Sequence, residues 1–113
     1  MRQITILDDN PNQSFYFTTG EGENLHFVLI YKPRQQSWFL DVEGDTFKVY
    51  GIRVCCHPNL LDKYNNLINY GICIQTIDGL DPWRVTDFKD DYCSFNILSK
   101  KEKEKITAVL NGI

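Results

Sequence analysis

The 113-residue chain has no run approaching the ~20 consecutive apolar residues that a membrane-spanning helix needs. Its amino end, MRQITILDDNPNQ, reaches a turn after a few apolar residues and does not resemble a targeting or anchoring segment. The chain is therefore expected to be made and kept in a cytoplasm. A positive excess is missing too. Twelve Lys and Arg residues are interspersed with fifteen Asp and Glu, giving a net charge of −3 and a pI near 5.2. That balance leaves no electrostatic footprint for a phosphate backbone, so nucleic acid is not expected as the main partner. Repeats, low-complexity tracts and linkers are likewise absent, and the length suits one domain with one hydrophobic core.

Cysteine is scarce and oddly placed. Cys55, Cys56, Cys73 and Cys93 crowd the middle and second half of the chain and two are neighbours, unlike a secreted disulfide framework, so they read as reduced thiols. Cys73 and Cys93 lie within apolar strand-like runs, where a free cysteine behaves as a small hydrophobe. Cys55, Cys56 and His57 invite a zinc reading, but no C-x2-C or H-x3-H pair is present. Adjacent residues on an extended strand point to opposite faces, which keeps Cys55 and Cys56 from sharing an ion.

A cysteine nucleophile would need His57 or His26 within hydrogen-bond reach, and no glycine-rich turn into a helix supplies an oxyanion hole. The aspartates of DGLDPWRVTDFKDD do not follow the alternate spacing of a calcium loop. No catalytic residue, metal ligand or cofactor is assigned on these grounds. Two rivals remain: an enzyme or redox or metal protein using the Cys55, Cys56 and His57 cluster, and a monomeric β binding module acting through the Trp83 loop.

What is present is a core. Apolar residues make up 42% and aromatic residues 13%, enough to exclude disorder. Short strand-like runs separated by turn signals fill the first hundred residues: Ile4–Leu7, Ser14–Thr19, Leu25–Lys32, Ser37–Val42, Thr46–Val54, Ile72–Ile77 and Tyr92–Leu98. In the third run, Leu25, Phe27, Leu29 and Tyr31 alternate with His26, Val28 and Ile30, so both faces are expected to be covered. In the fourth, Trp38, Leu40 and Val42 share a face. Gly51 interrupts the fifth and predicts a bulge, a bend or a close backbone approach.

Pro58 ends that run. Leu60, Leu61, Tyr64, Leu67 and Ile68 then fall at helical spacing, which predicts a short helix over Pro58–Ile68 released by Gly71. Ser99 caps a second helix, KKEKEKITAVLNG, whose charged start is a solvated face. Its apolar continuation is expected to dock on the domain or on a neighbouring subunit. The expectation is a mainly β protein: a small antiparallel sandwich or barrel of about seven strands over 1–98, then a carboxy-terminal helix over 99–113.

One loop carries residue types that anchor protein interfaces: Trp83, Arg84 and, a turn later, Phe88. Trp83 either serves as such an anchor or folds back to cover an open end of the sandwich.

Several cues fall in a recognisable order. They are Asn12, Gln13 and Phe15 at the first turn, then Tyr31, Trp38, Leu40 and Asp41 in a hairpin. Gly51, Leu60, Leu61, Tyr64 and Gly71 follow in the middle, with Asp81, Pro82, Asp87 and Phe88 in the late loop. This outline resembles the small baseplate plug proteins of contractile-tailed phages, typified by a cyanophage baseplate plug, up to about Leu98. The sequence departs from it at VCC, where ordinary apolar residues are expected, and in the charged helix after Ser99.

The resemblance implies a non-enzymatic virion subunit at the centre of a tail baseplate. It would pack near the hub and tube end in several copies, with other baseplate, hub and tail tube proteins as partners. Head-to-tail binding of its own copies would close a ring.

Overall fold

A computed structural model describes residues 2–20, 22–64 and 67–110. Seven strands form, as the alternation of apolar and polar residues predicts: β1 (Arg2–Ile4), β2 (Asn12–Thr18), β3 (Asn24–Lys32), β4 (Ser37–Glu43), β5 (Lys48–Arg53), β6 (Gly71–Thr76) and β7 (Cys93–Leu98). They divide into two antiparallel sheets, one ordered β1-β7-β6 and the other β2-β3-β4-β5. The first strand is Arg2–Ile4 instead of Ile4–Leu7, because its register on β7 runs from Arg2 opposite Ile97 to Ile4 opposite Phe95.

The period of two sends one face of each strand inward. Leu25, Phe27 and Leu29 of β3, Leu40 and Val42 of β4, and Ile72, Ile74, Phe95 and Ile97 of the other sheet join one core. Three aromatic rings tie the sheets together. Phe15 stacks on Phe27 at 5.0 Å, and Phe95 meets Phe15 edge-on at 5.7 Å and Phe27 at 5.6 Å. Each such side chain contributes about 1.5–3 kcal/mol by leaving water.

The second face of β3 is not covered as expected. His26, Val28 and Ile30 stay half-buried beside neighbours that are themselves exposed or half-buried. Tyr16 stacks on His26 at 4.3 Å, and the Lys32 ammonium lies 4.5 Å from the Phe39 ring. Gly51 makes the bulge: the register of β4 on β5 shifts between Leu40 and Val42, and Gly51 adopts φ +72°.

The helix expected over Pro58–Ile68 is replaced by an irregular corner holding one 3-10 turn, Asp62–Tyr64; Asn65 and Asn66 lie outside the described residues. Asn59 fastens this corner to β6. Its Oδ1 accepts the N–H of Leu61 at 3.0 Å and of Ile72 at 3.1 Å, while the Leu60 N–H goes to the Ile72 carbonyl at 2.8 Å. The first-turn amides are thus satisfied by an Asn side chain and by β6, and the chain continues as i→i+3 bonds from Asp62 to Asn59 and Tyr64 to Leu61. The apolar spacing still buries Leu61 and Ile68.

Ser99 caps α1 (Lys100–Leu110) in a reciprocal box. The Glu102 N–H donates to Ser99 Oγ at 3.3 Å and the Ser99 N–H to Glu102 Oε1 at 3.1 Å. The helix packs on β6 and β7, and buried Lys103 reaches the Ile68 carbonyl with its Nζ at 2.9 Å. Residues 111–113 of the expected helix lie outside the described residues.

Candidate functional site

The long connection between β6 and β7 is held at every turn. At its start the Ile77 N–H donates to the Tyr92 carbonyl at 3.0 Å and Thr76 Oγ1 to the Leu80 carbonyl at 2.7 Å. Asp78 Oδ1 accepts the Leu80 N–H at 3.1 Å and the Tyr92 hydroxyl at 2.5 Å. The Tyr92 bond, followed by the Leu80 N–H, holds the Asp78 carboxyl below its ordinary range. The same bond, with some desolvation, pushes the Tyr92 phenol up to about 12. Asp81 Oδ1 takes the Cys56 N–H at 2.9 Å and so ties the loop to the cysteine corner.

The middle of the loop rests on two aromatic residues of the larger sheet. The Tyr31 hydroxyl donates to the Trp83 carbonyl at 2.6 Å and Trp38 Nε1 to the Arg84 carbonyl at 3.1 Å. Phe88 is buried edge-on against Trp38 at 5.3 Å. Asp87, fully buried, then closes the turn. Its Oδ2 accepts the N–H groups of Trp83 at 2.7 Å and Arg84 at 2.8 Å, and its Oδ1 pairs with Arg84 Nε at 2.7 Å.

The Arg84 guanidinium sits 4.9 Å from the Trp83 ring and 5.0 Å from the Tyr92 ring, a cation held between two π faces. Trp83 remains 47% exposed, with Ile77 and Leu80 exposed beside it in the chain. Of the three residues singled out from sequence, Phe88 thus lies in the core contact of the loop, whereas Trp83 and Arg84 form its exposed surface. Trp38 lies beneath them as the platform.

Sequence reasoning missed the clamp role of Asp87 and the Tyr92 side of the cation cage. Asp87 bonds the amides three and four positions before it, a back-reaching pattern that Asp side chains share with capping boxes but that the turn residues of this loop do not announce. The Asp78-Gly79 turn, by contrast, was readable in principle, because an Asp before Gly favours capture of the N–H two residues on.

Gly51, Leu60 and Tyr64 line one shallow cavity with Cys55 and His57, Pro58 and Leu61 stand in the corner beside them, and Gly71 packs against Asn59. His57 bridges to Ile74 through backbone bonds of 3.2 and 3.0 Å, and its Nδ1 accepts the Asn59 N–H at 2.9 Å. That nitrogen is committed to the backbone and is not free to take a proton from a thiol. Burial, with the nearby Asp81 charge, pushes the Cys55 thiol up. Burial likewise raises the Cys73 thiol, and it raises the Cys93 thiol to about 12. Thiols in this state stay protonated at neutral pH and are weak nucleophiles. Among the described residues, no group of three or more His, Cys, Asp or Glu side chains could hold a metal ion.

Two small antiparallel sheets on a common core, with a braced loop presenting an aromatic and a guanidinium side by side, define a mainly β structural module. Residues 1–100 match the family model described as cyanophage baseplate Pam3 plug gp18. The chain belongs to this family of baseplate plugs, structural components of a phage tail. The match ends where α1 begins, so the helix lies beyond it. No curated protein matches the chain.

Proposed function

We propose that the chain is a plug-like subunit of a contractile tail baseplate, in a phage, a prophage or a tail-derived particle, packing near the central hub and the end of the tube. The observation that carries this reading is the family match over residues 1–100. The β body, 1–98, is read as a small sandwich and the segment 99–113 as an added helix. Several copies assemble in the host cytoplasm with hub, tube and other baseplate proteins and remain in the virion.

The Trp83 and Arg84 surface is read as a contact with a neighbouring protein. Its support is preorganisation: the loop is already fixed by Asp87, Tyr31 and Trp38. Little ordering entropy is left to lose on docking. A density map of particles carrying this chain tests the reading, with density for the β body expected at the hub end of the tail tube. Purified tails that lack the chain overturn it.

A further inference from the structure

The late loop and the carboxy-terminal helix are opposite in character and lie at opposite ends of one strand. Between Ile77 and Asp91 the chain holds five aspartates, Asp78, Asp81, Asp87, Asp90 and Asp91, against Arg84 and Lys89. All of these aspartates except Asp87 are exposed. Within this acidic segment, Ile77 is 79% exposed, Leu80 63% and Trp83 47%.

Helix α1 carries four lysines against two glutamates. Lys103 is turned inward to Ile68, while Lys101, Glu104, Lys105 and Val109 are exposed at helical spacing, Val109 at 74%. One surface is thus acidic with apolar and aromatic side chains, and the other is basic with an apolar end.

The two surfaces flank β7 along the chain. The loop delivers the chain into β7 at Cys93 and the helix leaves it after Leu98. Five strand steps of about 3.4 Å separate those points, on the order of 17 Å.

We infer that the occupant of each surface is a second copy of this chain, with the loop of one copy docked on α1 of the next. This contact rests on the baseplate reading and names the surfaces through which the plug subunits join one another. It is heterologous, and copies joined in this way extend in one direction until the rotation between them closes a ring.

Charge exchange tests the inference on the full-length chain by sedimentation velocity. The wild type is expected to associate at low salt and to revert to monomer at about 1 M salt, where screening acts within ~3 Å. Asp90→Lys with Asp91→Asn takes the 77–91 loop from a net charge of −3 to 0 and reverses its 89–91 end from −1 to +2; it also keeps at position 91 a residue that tolerates the positive φ there. Lys101→Glu with Lys105→Glu reverses the helix. Each reversal should weaken self-association by roughly tenfold or more.

Mixing the two variants, or combining all four changes in one chain, should restore association. Association that ignores both reversals, or that fails to return on mixing, overturns the inference. A wild type that is monomeric at every concentration yet enters purified tails defeats the inference and leaves the baseplate reading standing. A chain that does neither defeats both.

Discussion

The Asn59 amide occupies the space next to Gly71 so closely that a Cβ at residue 71 would lie 2.7 Å from its Oδ1. The glycine is there for the asparagine, which holds the irregular corner to β6 through Leu61 and Ile72. Gly71→Ala is expected to destabilise the fold by about 1–3 kcal/mol through overpacking. Asn59→Ala is expected to cost a similar amount, because two buried N–H groups lose their acceptor. The two losses should not add, since the shorter side chain makes room for the methyl group. Urea denaturation of the two single variants and the double variant reads this coupling, and strict additivity would refute it.

Asp87 is a buried carboxylate satisfied by one guanidinium and two backbone amides. Asp87→Ala is expected to cost about 1–3 kcal/mol, because it leaves two loop amides without their acceptor while the exposed Arg84 turns to water. Asp87→Asn keeps the shape and should cost less. Tryptophan emission should report loop opening in the alanine variant by shifting to longer wavelength before global unfolding.

The two tryptophans should respond oppositely. Trp38 is fully buried beneath the loop, and Trp38→Ala is expected to lose about 3–5 kcal/mol, enough to unfold a marginal domain. Trp83→Ala should change stability by less than about 1 kcal/mol while reducing incorporation into tails. Thermal melts paired with the composition of purified particles check both. A Trp83 variant that assembles normally would remove the loop from the interface.

Alkaline pH should weaken the fold. The Cys93 thiol is raised to about 12 by burial and the Cys73 thiol is raised for the same reason, so both keep their protons in the folded state after the unfolded chain has lost its own near the ordinary value of 9.0. The unfolded state then binds fewer protons and stability falls as pH rises. The stabilisation is complete below pH 9 and lost progressively above it, by up to about 1.4 kcal/mol per pH unit for each thiol. Cys93→Ala should flatten the decline in unfolding free energy measured between pH 8 and 11. Cys55→Ser with Cys56→Ser should leave neutral-pH stability and particle assembly almost unchanged.

The strands were legible because alternation is a local property that the sheets preserve, and Leu25, Phe27 and Leu29 point inward as their spacing requires. The family outline was legible too, since its cues keep their order along the chain. The corner after Pro58 was not. Leu60, Leu61 and Tyr64 have helical spacing, but the bonds that tie this corner to β6 run from Leu60 and Asn59 to Ile72, a residue distant in sequence.

The outer face of β3 also misled. Val28 and Ile30 look like core residues in sequence, yet among the described residues they stay half-buried, on the face of β3 opposite Leu25, Phe27 and Leu29. In the loop, Trp83 and Arg84 were visible as residue types. The bonds from Tyr31, Trp38 and Asp87 that fix their direction join distant parts of the chain.

The Gly51 bulge bears on the border of the larger sheet. Strand β5 borders the larger sheet, and a straight border of that kind would template a foreign strand. Here the pairing slips at the glycine, and the Gly51 N–H is already taken by the Asp41 carboxylate at 2.8 Å. The β5 border is therefore a poor template for runaway sheet growth, broken in register by a single residue with no side chain.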